Sequence, residues 1–405
     1  MASALAGIRV VDLSRVLAGP WSTQNLADLG ADVIKIERPG AGDDTRSWGP
    51  PFVDRVDTEG RDAAYFFCAN RNKRSLTLDF TLPEGRDILI RLIKQADVLV
   101  ENYKVGGLKK YGLDYASVAL INPRLVYCSI TGFGQDGPYA KRPGYDALIQ
   151  AMGGLMSITG EPDEVPGGGP QKVGVAVVDL LTGLYATNAI LAALFHRERT
   201  GEGQQIDIAL LDVQVATLAN QAGNYLLSGA VPKRMGSAHP SIVPYQPVAC
   251  KDGYLMLAIG NDTQFAGLCR AAGEPDVASD ERFASNEARV HHRQALRDWL
   301  SQVMQTKTID EWCALAKREN FPCGPINTID RVFRDPQVQA RGMQFRLHSA
   351  AHGDLDLVAS PIRMSKTPVS YRRAPPGLGQ DNADLLRELG YVDEELDRLR
   401  KKQVI

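Results

Sequence analysis

The sequence has little excess charge of either sign. Its 405 residues carry 46 Lys and Arg against 48 Asp and Glu, a formal net charge of −2. That near balance removes the electrostatic basis for binding nucleic acid or an anionic membrane. Cysteine is sparse, and Cys68, Cys128, Cys250, Cys269, Cys313 and Cys323 form no Cys-x-x-Cys pair. They read as reduced core residues of a cytosolic protein. Histidine is scarcer than its six copies suggest for metal binding, because no His-Glu-x-x-His occurs and His291-His292 sit side by side in a charged helical stretch. No metal site is expected. Walker A and Gly-x-Ser-x-Gly strings are also missing, which removes the P-loop and serine-hydrolase signatures. No apolar run is read as reaching the ~18 residues of a membrane span. Met1 to Gly7 is too short and polar for a signal peptide, so the cytoplasm is the expected compartment.

What is present is an alternation of strand-like and helix-like segments. Short β-branched runs at Ile8–Leu13, Asp32–Glu37, Ser75–Asp79, Asp97–Glu101 and Leu125–Ile130 are separated by helical stretches at Trp21–Leu29 and Pro83–Gln95. That grammar predicts βαβ units and a parallel, doubly wound sheet. A chain this long exceeds one simple core. The pattern divides it into a large domain over 1–224, a smaller α+β domain over 225–325, and a return to the large domain over 326–405. Within the small domain, Tyr245–Ile259 reads as a strand pair turning at Lys251-Asp252-Gly253.

Gly132-Phe133-Gly134-Gln135-Asp136-Gly137 matches G-x-G-x-x-G, but Pro138 and Pro143 fill the stretch where a dinucleotide fold must begin a helix. NAD binding is therefore rejected. Cations cluster instead after strand ends: Arg38, then Lys104 beside Asn102-Tyr103, then Lys109-Lys110. Loops at those ends converge on the ligand crevice of a doubly wound sheet and would suit phosphate groups. Taken singly, each cation is more often a surface charge. Asp179 directly follows the apolar run Gly174–Val178 and precedes an Ala- and Leu-rich helix. From the local pattern a helix cap is the stronger reading, and a chemical reagent is the alternative.

The strings Leu5–Leu13 with Val16–Pro20, Leu29–Pro39, Asn72–Ser75, Asp97–Tyr103, Thr200–Gln204 and Gly324–Asn327 resemble the class III coenzyme A-transferases (CaiB/BaiF type) over essentially the whole chain. The resemblance implies a Rossmann-like large domain completed by C-terminal residues, a small domain, and an interlocked homodimer. It implies acyl-CoA as substrate and no permanently bound cofactor. It places the nucleophile at Asp179 and CoA contacts at Leu17, Ala18, Arg38, Leu78, Thr81, Asn102, Tyr103 and Lys110, with Tyr145 near the thioester. Asp381 stands where relatives often have histidine.

Strings at 40–46, 48–52 and 241–246 are similar to succinyl-CoA-dependent dicarboxylate transferases of the glutarate and hydroxymethylglutarate types. A dicarboxylate needs a partner for its second charge, and Arg15, Arg46, His239 and Ser241 are the candidates. The competing enzyme reading is a 2-methylacyl-CoA racemase of the same fold. Racemases carry histidine where Tyr145 stands, and a side chain of pKa about 10 is a poor replacement base. A catalytically silent CoA-binding protein is the remaining alternative.

Overall fold

The computed structural model describes residues 3–56 and 59–405. Met1 and Ala2, part of the short polar start, lie outside the described residues, as do Asp57 and Thr58. The chain forms two compact units. One contains residues up to 154, 173–222 and 336–405, and the other contains 155–172 and 223–335. The small unit thus takes in 155–172, and the return to the large one falls at 336, ten residues later than expected.

The large unit is built on strands β1 (Arg9–Asp12), helix α1 (Ala18–Asp28), β2 (Asp32–Glu37), β3 (Lys73–Thr77), α2 (Pro83–Lys94), β4 (Val98–Glu101), β5 (Val126–Thr131), α3 (Asp146–Met152), α4 (Val177–Thr200) and β6 (Gln205–Ala209). All six strands are parallel, in the order β3-β2-β1-β4-β5-β6. The expected α/β parallel sheet is present. Its strand order reverses between β1 and β4, which makes the crevice beyond their carboxyl ends the natural ligand position.

Period-two alternation sorts the strand residues onto two faces. Val11, Ile34, Leu76 and Leu99 face one core with Leu89 and Leu92 of α2 and the C-terminal Leu385, Leu386, Leu396 and Leu399. Val10, Val33, Val98 and Val126 face the other, with Leu26 of α1 and Ala186, Ile190 and Leu194 of α4. Each such buried aliphatic side chain contributes about 1.5–3 kcal/mol, so this two-sided packing holds the strand ends in place.

Helix α4 runs 24 residues and ends at Gly201, whose φ of +82° suits only glycine in comfort. It is the one helix among the described residues long and apolar enough to cross a membrane by length and composition. The expectation that no run reaches that length is therefore corrected. Asp179, Thr182, Thr187 and Asn188 interrupt the apolar run, and the mean hydropathy of 1.6 stays high despite them. The helix lies against α1, and the contact is close. A Cβ on Gly183 would stand 2.7 Å from the Ala18 carbonyl oxygen and 3.0 Å from the Trp21 ring.

Strand β6 was not foreseen. Its polar Gln205 and Asp207 alternate with Ile206 and Ile208 at the sheet edge, where one face needs no apolar cover. The helical stretch Leu210–Ser228 divides into two, α5 (Leu210–Thr217) and α6 (Ala219–Ser228), broken where Ala219 takes a φ of +46°. Gln344–Ser349 and Gly353–Val358 pair with each other as a separate antiparallel hairpin. Asp381 joins the C-terminal segment to β3 by accepting the Ser75 N–H at 2.9 Å and pairing with Arg373.

The small unit has a three-stranded antiparallel sheet of β7 (Tyr245–Cys250), β8 (Gly253–Ala258) and β9 (Cys323–Pro325). Its core gathers Leu255, Leu257, Phe265, Leu300 and Trp312.

Candidate functional site

Beyond the carboxyl ends of β1 and β4 lies a cavity of about 420 Å³. The loop after β1 brings Arg15, Leu17 and Ala18 to it, and the loop after β4 brings Asn102, Tyr103 and Lys104. The segment after β5 adds Lys141, Arg142 and Tyr145, and α4 adds Asp179. No helix starts directly after Gly132–Gly137; the next one is α3 at Asp146. Instead the segment doubles back on itself. A Cβ on Gly132 would meet the Gly144 Cα at 2.7 Å, so the close crossing that presents Tyr145 requires glycine at both positions.

A second cavity of about 250 Å³ adjoins, lined by Arg38, Leu78, Thr81 and Lys35. Arg15, Asp44 and Tyr103 line both. The Arg15 guanidinium pairs with Asp44 at 3.1 Å and lies 5.5 Å from the Tyr103 ring centre. The two spaces therefore form one path with an ion pair at the waist.

The carboxyl of Asp179 is half-buried and makes no hydrogen bond among the described residues. Its backbone N–H, 3.3 Å away, and that of Val178, 2.8 Å away, donate to Oδ2 of Asp146. Asp146 is thus the cap of α4, supplied from the first turn of α3. The residue at the formal cap position, Ala176, has no side-chain acceptor. Asp146 is itself held by Gln150, whose Nε2 donates to Oδ1 at 2.5 Å while its Oε1 accepts the Val173 N–H at 2.9 Å.

Burial pushes the Asp179 carboxyl up to about 7, with the Asp146 charge adding to the rise. An ionised carboxylate without hydrogen bonds in such a place is poorly solvated and correspondingly reactive as a nucleophile. The Tyr65 phenol is pushed up to about 12, by burial first and the Asp179 charge second. Trp48 packs edge-on against Tyr65, with ring centres 5.6 Å apart.

Of the residues named from sequence, Leu17, Ala18, Asn102, Tyr103, Tyr145, Asp179 and Arg15 meet in the larger cavity. Arg38, Leu78 and Thr81 meet in the smaller one. Lys110 lines neither; it is exposed, with Nζ 4.7 Å from the Tyr111 ring centre. Arg46 is not brought to the site either. It is buried, with Nε and Nη2 on Glu37 at 2.8 Å each and Nη1 on Asp62 at 3.2 Å. Its guanidinium lies 3.6 Å from the Phe66 ring centre, and its hydrogen bonds go to Glu37, Asp62 and the Pro376 carbonyl. His239 and Ser241 belong to the small unit, where the Ser241 N–H donates to His239 Nδ1 at 3.1 Å. Asp44, Trp48, Tyr65, Lys141, Arg142 and Asp146 were given no role from sequence. Only Asp146, beside Tyr145, carried a local signal: an acidic residue opening a helix.

A crevice at the switch point of a doubly wound sheet, lined by cations and holding one unpaired carboxylate, is suited to a nucleotide-tailed ligand. The sequence model of CoA-transferase family III matches residues 5–382, and the chain belongs to that family. It is similar to the succinate–glutarate CoA-transferase of Agrobacterium fabrum, 52% identical over 394 residues that cover 96% of each chain. It is 43% identical over 402 residues to the human succinyl-CoA:glutarate CoA-transferase, covering 99% of this chain and 90% of that one. The crystal structure of a CAIB/BAIF family protein from Brucella suis superposes with a TM-score of 0.85 at 51% identity, covering 96% of this chain and 100% of that one. The protein is a CoA-transferase.

Proposed function

We propose that this enzyme moves CoA from succinyl-CoA to glutarate, or to a dicarboxylate of similar length, with Asp179 as the nucleophile. The observation that carries the reading is near full-length similarity, at 52% identity, to a succinate–glutarate CoA-transferase. The unpaired Asp179 at the end of the cationic path supports it.

One Asp179 carboxylate oxygen attacks the succinyl thioester carbonyl, and the C–S bond breaks to release CoA thiolate and leave a mixed anhydride. The thiolate attacks the aspartyl carbonyl, expelling succinate and leaving an aspartyl-CoA thioester. Glutarate attacks that carbonyl and displaces the thiolate. The thiolate then attacks the glutaryl carbonyl, giving glutaryl-CoA and regenerating Asp179. Each step trades one activated acyl bond for another of similar energy, so no ATP is required. The CoA nucleotide suits the cavity holding Arg38 and Thr81, and its acyl end suits the cavity holding Asp179 and Tyr145.

The same reading includes an interlocked homodimer. The exposed apolar residues Leu184, Tyr185 and Phe195 on α4 support a partner against that helix. The free state of all six cysteines fits a reducing compartment.

Incubation with succinyl-CoA and glutarate, followed by chromatography, should give glutaryl-CoA and succinate in equal amounts without ATP. No exchange with any C4 to C6 dicarboxylate would sink the substrate assignment. Full exchange by Asp179→Ala would remove the nucleophile assignment.

A further inference from the structure

Between the end of β1 at Asp12 and the start of α1 at Ala18, the chain turns through a residue poorly suited to the turn. Val16 has a φ of +71°. In that left-handed region the Cβ crowds the following carbonyl oxygen, and a β-branched residue there is a genuine outlier. Such strain persists only where the surroundings over-determine it.

Four consecutive backbone groups are tied by side chains from elsewhere. Lys35 Nζ donates to the Ser14 carbonyl at 3.0 Å. Asn102 Oδ1 accepts the Arg15 N–H at 3.0 Å, and Asn102 Nδ2 donates to the Arg15 carbonyl at 2.7 Å. Asp43 Oδ1 lies 3.3 Å from the Val16 nitrogen and accepts its N–H. Lys35 and Asp43 are buried and paired at 2.8 Å, which braces the clamp.

The Asn102 bonds have a simple origin. The last backbone bond between β1 and β4 in this direction is from Leu13 N–H to the Val100 carbonyl, at 2.9 Å. Beyond it the two strands part at the switch point. The Asn102 amide then takes the place of a neighbouring peptide, offering Arg15 one acceptor and one donor. Only a primary amide of this length does both. Aspartate has no donor, and alanine has neither group.

We propose that Asn102 is a positioning residue whose side chain holds Val16 in its left-handed conformation, and so sets where Leu17 and Ala18 enter the cavity beside Asp179. Its amide serves the Arg15 backbone rather than CoA. The inference rests on the reading of this cavity as the site of CoA exchange.

The test is a double-mutant cycle of Asn102→Ala and Val16→Gly, read by kcat/KM, by the Kd for CoA from calorimetry, and by hydrogen exchange of residues 14–18. Strain of the usual size corresponds to roughly tenfold to hundredfold in the population of the competent loop. Asn102→Ala should therefore lower kcat/KM by about tenfold or more, weaken CoA binding along with it because Leu17 and Ala18 line the same cavity, and speed hydrogen exchange at 14–18. Glycine adopts the left-handed conformation without steric cost. Adding Val16→Gly to Asn102→Ala should recover most of the lost kcat/KM. The proposal is overturned if Val16→Gly rescues neither activity nor CoA affinity, if hydrogen exchange at 14–18 is unchanged, or if only the melting temperature falls. Failure of the wild type to exchange CoA at all would sink the reading of the site instead, and the hydrogen-exchange arm would still decide the clamp.

Discussion

The carboxylate of Asp146 caps the helix that carries Asp179: its Oδ2 accepts the Val178 N–H at 2.8 Å. Capping and chemistry are thereby divided between two aspartates 33 residues apart in the chain. The capping aspartate satisfies the helix start, which leaves the other carboxyl unpaired. Burial, with the Asp146 charge adding to it, pushes the Asp179 carboxyl up to about 7.

That elevation makes Asp179 a destabilising residue at neutral pH. Its folded value, about 7, lies above its model value of 3.8. The folded state therefore binds the extra proton between those values, and stability falls as pH rises through that window. Asp179→Asn should stabilise the protein at pH 7.5 by roughly 2 kcal/mol after solvent screening, and by little at pH 4. Urea unfolding at the two pH values checks this; equal effects at both would contradict it.

Activity should respond in the opposite direction. A nucleophilic carboxylate must be ionised, so kcat/KM should rise with pH to an apparent pKa near 7 in the free enzyme. Asp146→Asn keeps an acceptor for the α4 N–H groups but removes the neighbouring charge. It should move that limb to lower pH, and an unmoved limb in a pH–rate profile would refute the coupling. Asp146→Ala, which also removes the cap, should cost about 1 kcal/mol of stability in addition.

The contact of α1 with α4 offers a test of placement. Gly183→Ala puts a Cβ 2.7 Å from the Ala18 carbonyl oxygen, a backbone atom that cannot rotate away. The helices must separate at the rim of the cavity. We expect a loss of about 1–3 kcal/mol from overpacking, together with a raised KM for succinyl-CoA. Wild-type KM and stability would contradict the account.

Arg46→Met should behave as a stability mutation and not as a substrate mutation. It removes the guanidinium from two buried carboxylates, leaving Glu37 with Ser75 and the Asp43 N–H and Asp62 with Arg55 and His352. Breaking a buried pair typically costs about 3–5 kcal/mol, and these remaining partners put the loss at the lower end. Denaturant unfolding should show the loss. A variant of normal stability with a raised KM for glutarate would restore Arg46 as a substrate contact.

The sequence by itself determined the parallel α/β architecture, because β-branched runs separated by amphipathic helices satisfy their local preferences only in that arrangement. It also marked the loops after β2 and β4 as ligand-bearing, since their cationic residues follow strand ends; the loop after β1 was marked only by the family resemblance. Only the tertiary structure decided the jobs of individual polar residues. Arg46 and Arg15 look alike in the chain, yet one is enclosed by Glu37 and Asp62 while the other stands between two cavities. Strand β6 escaped notice because an edge strand needs apolar residues on one face alone. Asp179 looked like a cap because the local pattern contains only its own helix. The group that relieves it of that duty arrives from α3, and a hydrogen bond spanning 33 residues leaves no periodic trace in a sequence.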